Sequence, residues 1–187
     1  MAKLIYVTNV SLDGYIEDPS GGFDWLPGDD ELFASTTELL RSAGTFLYGR
    51  RLYESMAVWE TDAALAAQSD LTADFARAWQ AAGKVVYSTT LAAVSTADTR
   101  LERRFDPAAV RELKAAANKD LIVGGANLAT QAFGAGLVDE CHLFVWPVVV
   151  GGGKPGLPTG MRVDLDLLDE RRFRNGVVRL RYRTLAR

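Results

Sequence analysis

Asp120-Leu121-Ile122-Val123-Gly124-Gly125-Ala126-Asn127-Leu128 reads as a short apolar strand that stops on two glycines and turns directly into a helix. The run of branched side chains suits a strand buried on both faces, and the glycine pair marks the turn. Two further stretches repeat the arrangement. Thr45-Phe46-Leu47-Tyr48-Gly49 is a strand that passes through Arg50-Arg51 into a helix carrying Leu52, Tyr53 and Met56 on one face. Lys84 to Thr89 is a strand that finishes on the hydroxyls of Ser88, Thr89 and Thr90. Strands alternating with helices are the pattern of an α/β fold. If these three strands run parallel, their C-terminal ends share one sheet edge, where ligands bind in open α/β folds.

On the N-terminal side, Leu4 to Val7 reads as a first buried strand, and a long Gly-, Asp- and Pro-rich loop runs from Asp13 to Gly28. Asp29-Asp30 are helix-start acids, followed at helical spacing by Leu32, Phe33, Thr36, Leu39 and Leu40, and Gly44 closes the helix. Residues 62–82 predict an interrupted helix, residues 91–104 a short strand, and Pro107 the start of a helix over Ala108–Ala117. Ala126 to Phe133 predicts another helix. Toward the C-terminus, Glu140 to Val150 reads as a long strand, Gly151 to Gly160 as a loop, and Arg172 to Thr184 as an antiparallel hairpin broken at Asn175-Gly176. No repeat or linker divides the chain, so residues 1–187 are expected to form a single domain.

Composition bounds the function. With 48% apolar and 24% charged residues among 187, the chain can bury a full core as one soluble domain. A net charge of −3 is too mild to call for nucleic acid or a membrane surface. No apolar run reaches the roughly 18 residues of a membrane span, and polar Thr8-Asn9 interrupts any leader-like core. Cys141 has no second cysteine to pair with, which suits a reducing, cytoplasmic setting. His142 is the sole histidine, so no metal site is expected. Arg171, Arg172, Arg174, Arg179, Arg181, Arg183 and Arg187 crowd the end of the chain. The alternation of Arg179, Arg181 and Arg183 with Val178, Leu180 and Tyr182 reads as one solvated strand face. Gly151 to Gly156 satisfies a Gly-x-Gly-x-x-Gly spacing, but no βαβ unit follows, and Pro155 after Lys154 excludes a P-loop.

The three strand ends carry groups that a nucleotide needs. Gly124-Gly125 admits a phosphate to backbone N–H groups at the positive end of a helix. Arg50 and Arg51 offer forked, charge-assisted hydrogen bonds. Ser88, Thr89 and Thr90 offer hydroxyl donors.

At these residues the chain resembles the dihydrofolate-reductase-like family, in the branch of the reductase domain of bacterial riboflavin-biosynthesis deaminase–reductases. Four stretches carry the resemblance in family order: Ser11 to Ile16, Gly49 to Glu54, Leu121 to Gly125, and Val148 to Pro155. The resemblance implies a mostly parallel central sheet with antiparallel C-terminal strands and flanking helices. It also implies NADPH bound across the strand ends, and a dimer. On that reading Gly49, Arg50, Arg51, Ser88 and Thr89 meet the 2′-phosphate region, while Gly124, Gly125, Ala126, Asn127 and Leu128 cradle the pyrophosphate. Asp29 takes the place of the family's substrate carboxylate, with Asp30 its neighbour. Asp13, Trp25, Phe33 and Tyr53 are the expected substrate contacts, and Gly151 to Gly156 is the family-type glycine loop expected near the active site.

The implied activity is reduction of a small pterin- or pyrimidine-like heterocycle. The riboflavin precursor 5-amino-6-(5-phosphoribosylamino)uracil is the alternative substrate, although Asp29-Asp30-Glu31 would repel its phosphate. Two other classes fit the same residues: a nucleotide-binding protein without turnover, and a flavin-using enzyme. Leu143-Phe144-Val145-Trp146, beside the C-terminal ribbon, is the expected dimer surface.

Overall fold

The computed structural model describes residues 1–185; Arg187, last of the C-terminal arginines, lies outside the described residues together with Ala186. In chain order the elements are β1 (Leu4–Ser11), β2 (Tyr15–Glu17), α1 (Asp30–Ser42), β3 (Ala43–Gly49), α2 (Arg50–Met56), α3 (Val58–Thr61), α4 (Ala63–Ala66), α5 (Asp70–Gln80), β4 (Gly83–Tyr87), β5 (Thr99–Glu102), α6 (Pro107–Ala116), β6 (Asp120–Gly124), α7 (Ala126–Gly134), β7 (Glu140–Trp146), β8 (Lys154–Pro155), β9 (Leu165–Arg172) and β10 (Val178–Thr184). An 8-stranded sheet runs in the order β5-β4-β3-β6-β1-β7-β10-β9. All neighbours from β5 to β7 are parallel, and β10 is antiparallel to both β7 and β9. This is the α/β, dihydrofolate-reductase-like layout expected from the sequence.

Alternation along the strands assigns side chains to two helical layers. Leu4, Tyr6, Leu47, Val85, Leu121 and Val123 face α6 and α7, through Val110, Leu128, Ala129 and Ala132. Ile5, Phe46, Tyr48, Val86 and Ile122 face the opposite layer, through Leu40, Tyr53, Phe75 and Trp79. Each fully buried large side chain contributes about 1.5–3 kcal/mol. Helices α1, α5 and α6 begin at side-chain caps. Asp29 accepts from Leu32 N, Asp106 from Ala108 N, and Ser69 and Thr72 form a capping box.

Several expectations need correcting. The Asp13–Gly28 loop contains β2, which pairs antiparallel with β8. The strand expected over Glu140–Val150 stops at Trp146, because Pro147 has no N–H for a ladder. Gly44 lies inside β3, after a helix that has already ended at Ser42. The alternating arginines are not simply solvated: Arg179 reaches Asp169 at 2.7 Å, Arg183 pairs with Asp166, and Arg181 lies 3.4 Å from Glu140. Leu143, Phe144 and Trp146, expected at a dimer surface, are buried, because β7 sits between β1 and β10.

His142 is structural. It is buried with Nε2 3.0 Å from Glu140 Oε2, and burial holds its pKa below the usual value. Burial would raise Glu140, but hydrogen bonds with Lys3 and His142 dominate and bring it to about 2. Burial pushes the Cys141 thiol up to about 12, so it behaves as a small apolar filler.

A cleft at the carboxyl ends of the parallel strands

The register places the three strand ends side by side. Gly49 pairs with Tyr87 across β3 and β4, and Tyr48 pairs with Gly124 across β3 and β6. β1 outruns its neighbour: it pairs with β6 only as far as Tyr6–Val123, but with β7 as far as Ser11–Trp146. Beyond Tyr6, therefore, β1 has no ladder partner on its β6 side.

A cleft of about 370 Å³ lies over these ends, lined by Gly49, Arg50, Arg51, Leu52, Tyr87, Gly125, Ala126, Asn127, Leu128, Gln131 and Lys154. The two glycines after β6 serve different ends. A Cβ on Gly124 would lie 2.3 Å from Leu52 Cδ2 and 3.1 Å from the Tyr48 ring, so its absence lets α2 pack on β6. Gly125 has φ +92, which side-chain-bearing residues rarely adopt, and it starts α7 with no side-chain cap. The first-turn N–H groups of α7 thus keep their donors for a ligand at the positive end of the helix. Across the cleft, Arg50 has only a loose partner, Glu54 at 3.9 Å, with both side chains about half exposed. Arg51 is exposed and forms no ion pair among the described residues. The cleft therefore brings together two groups of uncommitted donors, one after β3 and one after β6.

The outrunning end of β1 carries a polar side chain. Asn9 is exposed on β1, and Trp146 Nε1 donates to its Oδ1 at 2.9 Å. An indole N–H only donates, so the amide orientation is fixed and the Asn9 Nδ2 donors remain for another partner. Trp25 packs at the margin of a third cluster formed by Leu32, Phe144, Trp146, Phe173 and Val177. Its indole N–H is buried without a partner.

Comparison with known proteins agrees with this layout. The RibD C-terminal domain family matches residues 2–179. The chain belongs to that family. Its domain is thus of the RibD C-terminal, reductase-like type. It is 32% identical to YyaP of Bacillus subtilis (strain 168), itself uncharacterised, across 96% of this chain and 94% of that one. A Shewanella sp. PV-4 protein named for riboflavin biosynthesis shares the fold at TM-score 0.76 and 19% identity, each chain covered at 100%. The Thermotoga maritima diaminohydroxyphosphoribosylaminopyrimidine deaminase/5-amino-6-(5-phosphoribosylamino)uracil reductase shares it at TM-score 0.63 and 13% identity. There the match covers 98% of this chain and 57% of that one.

In this RibD-type domain the residues singled out from sequence have separate fates. Gly49, Arg50, Arg51, Gly125, Ala126, Asn127 and Leu128 meet in the cleft, with Gly124 packed just beneath. Ser88 instead builds a turn, its Oγ accepting from Thr90 N and Leu91 N at 3.2 and 2.9 Å, and Thr89 is exposed outside the cleft lining. Tyr53 is only 2% exposed, and its hydroxyl is engaged by Ser95 and Thr96, so it anchors a turn rather than a substrate. Phe33 stacks on Phe75 at 4.6 Å within the helical layer. Asp13 holds the glycine loop, its carboxylate accepting from Val150 N and Gly151 N at 3.1 and 2.8 Å. Ser11 first, then those N–H groups, keep the Asp13 carboxyl below the ordinary range.

Asp29 is half-buried, with Oδ1 2.8 Å from Leu32 N, and Asp30 is exposed in the first turn of α1. Sequence reasoning missed Leu52, Tyr87, Gln131 and Lys154 as cleft residues. Gln131 was within reach, since it stands one helical turn beyond Asn127 on the same face. Lys154 lies in the Val148–Pro155 stretch that carries the family resemblance, but its side chain's place in the cleft depends on the pairing of β2 with β8. Among the described residues no three His, Cys, Asp or Glu side chains group to hold a metal, and no helix is long and apolar enough to cross a membrane.

Proposed function

We propose that this RibD-type domain is an NADPH-dependent reductase of a small uncharged heterocycle, pterin- or pyrimidine-like. The observation that carries the reading is the pairing, within one cleft, of the uncapped α7 N-terminus with Arg50-Arg51 at the end of the neighbouring strand. This donor set fits the cofactor. Backbone N–H groups of Gly125 to Asn127 suit a diphosphate, and the forked guanidinium groups suit a 2′-phosphate. When bound, NADPH supplies a hydride.

The chain's own residues do the rest. We assign the ring to the end of β1 beyond its pairing with β6, where Asn9 Nδ2 donates to a ring carbonyl or nitrogen and Trp25 closes one side. A reduced C=N bond also needs a proton at nitrogen, which we assign to Asp29. The other loop carboxylates are engaged or exposed: Asp13 by the glycine loop, Glu17 near Lys154, Asp18 by Ser20 and Gly22, and Glu31 by Arg171 and Arg174. Asp24 and Asp30 are exposed, whereas Asp29 is half-buried with one oxygen uncommitted. The acids Asp24, Asp29 and Asp30, without an ion pair among the described residues, disfavour a phosphorylated substrate. A lone, buried cysteine suits a cytoplasmic setting.

Arg50→Ala and Arg51→Ala, made separately, should each weaken NADPH by about tenfold, the scale of one charged hydrogen bond, and NADH far less. Titration of both nucleotides checks this; equal losses for the two would remove the arginines from the 2′-phosphate.

We also propose a homodimer, on a different surface from the strand the sequence suggested. β9 is an edge strand of the sheet, and it exposes Leu167 and Leu168 at 48% and 41%, a flank that invites cover. Light scattering at micromolar concentration should give twice the chain mass of 20.4 kDa; the single-chain mass would rule the dimer out.

A further inference from the structure

The Gly151–Gly156 loop fits neither dinucleotide motif, yet the fold carries its lysine into the cleft. The loop is clamped along its length. Asp13 accepts from Val150 N and Gly151 N, Gly156 N donates to Gly14 O at 2.9 Å, and Tyr6 Oη donates to Gly156 O at 2.5 Å. Gly153 lies so close to β2 that a Cβ would sit 2.0 Å from Glu17 O, and a Cβ on Gly156 would sit 2.4 Å from Val10 Cγ1. Lys154 pairs with Glu17 in the β2–β8 ladder, so its stem starts from a fixed point.

Its charge is only loosely held. Lys154 Nζ lies 4.0 Å from Glu17 Oε1, beyond hydrogen-bond length, with the side chains 27% and 24% exposed. The sheet order decides which part of a dinucleotide it meets. Arg50 and Arg51 follow β3, the α7 N-terminus follows β6, and the Lys154 loop is tied to β1, with β6 between β3 and β1. Lys154 therefore flanks the α7 N-terminus on the side away from the arginines.

We infer that Lys154 is a further binding residue of this cleft, its ammonium holding the diphosphate of the dinucleotide against the N-terminus of α7, with Glu17 as its partner when no nucleotide is bound. The inference rests on the nucleotide reading above. The Arg pair then selects between NADPH and NADH, whereas Lys154 serves both alike.

Fluorescence titration of the wild type, Lys154→Gln, Lys154→Arg and Glu17→Gln with NADPH and NADH tests it without turnover. Lys154→Gln should weaken both nucleotides by the same factor, about tenfold or more. Lys154→Arg should recover most of the loss, and Glu17→Gln, which frees the ammonium, should bind both more tightly. A wild type that binds neither nucleotide ends the reductase reading and this inference with it. A wild type that binds both while Lys154→Gln matches it overturns the inference alone. A loss confined to NADPH would move Lys154 to the 2′-phosphate and also overturn it. If Lys154→Gln fails to fold, Glu17→Gln decides, since unchanged or weaker binding there contradicts the exchange of partners.

Discussion

Asp29→Asn is expected to lower turnover by roughly 10²–10⁴-fold, the usual contribution of a positioned general acid, while NADPH affinity stays near that of the wild type. Asp29 does two things in this account. Its Oδ1 caps α1 through Leu32 N at 2.8 Å, and its other oxygen is left to a substrate. Asparagine caps a helix nearly as well as aspartate, so the substitution keeps the first role and deletes the second. A cap alone predicts unchanged turnover. Steady-state kinetics on a pterin or pyrimidine substrate, with the melting temperature measured alongside, separates the two. Asp30→Asn is the control, because Asp30 is exposed and makes no cap. Full activity in Asp29→Asn would remove the carboxylate from the chemistry.

The second large effect concerns the glycine loop. Gly153→Ala should destabilise the protein by roughly 2–4 kcal/mol. A left-handed residue with a side chain costs about 1–2 kcal/mol, and backbone displacement adds to it. Gly153 has φ +117, and the added Cβ would stand 2.0 Å from Glu17 O and 2.7 Å from Asp18 C, both backbone atoms that cannot rotate away. Gly151→Ala isolates the conformational part, since φ there is +78 but nothing lies within 4 Å of the added atom. Urea denaturation should therefore rank Gly153→Ala well below Gly151→Ala in stability. Equal costs would mean that the β2–β8 contact yields freely, and Lys154 would lose its fixed starting point.

The parallel half of the fold was legible because its signals are local. Apolar strands ending at Gly49 and Gly124, helix-start acids at Asp29-Asp30, and Pro107 at a helix start each act within a few residues. The cleft followed from the same signals, since parallel strands bring their ends to one edge. What stayed hidden depends on contacts distant in sequence. β2 and β8 span three and two residues, too short for any periodic pattern, and Asp13 meets Val150 across a sequence separation of 137.

Two residues were misplaced for a different reason. Tyr53 and Phe33 lie beside site residues in the sequence, but helical geometry turns both into the layer under α1 and α5. Leu143 to Trp146 shows the ambiguity of an all-apolar strand. It reads equally as an interface or as an interior strand, and only the sheet order, with β10 on its outer side, decides.

The central claim is that the cleft at the ends of β3 and β6 holds a phosphorylated dinucleotide, with Arg50 and Arg51 reading its 2′-phosphate. Titration of the wild-type protein with NADPH and NADH, followed by nucleotide fluorescence at low ionic strength, tests it most directly. NADPH should bind at least tenfold more tightly than NADH, the margin of one charge-assisted phosphate contact, and added salt should narrow the gap. Equal dissociation constants for the two nucleotides, or binding of neither, would contradict it.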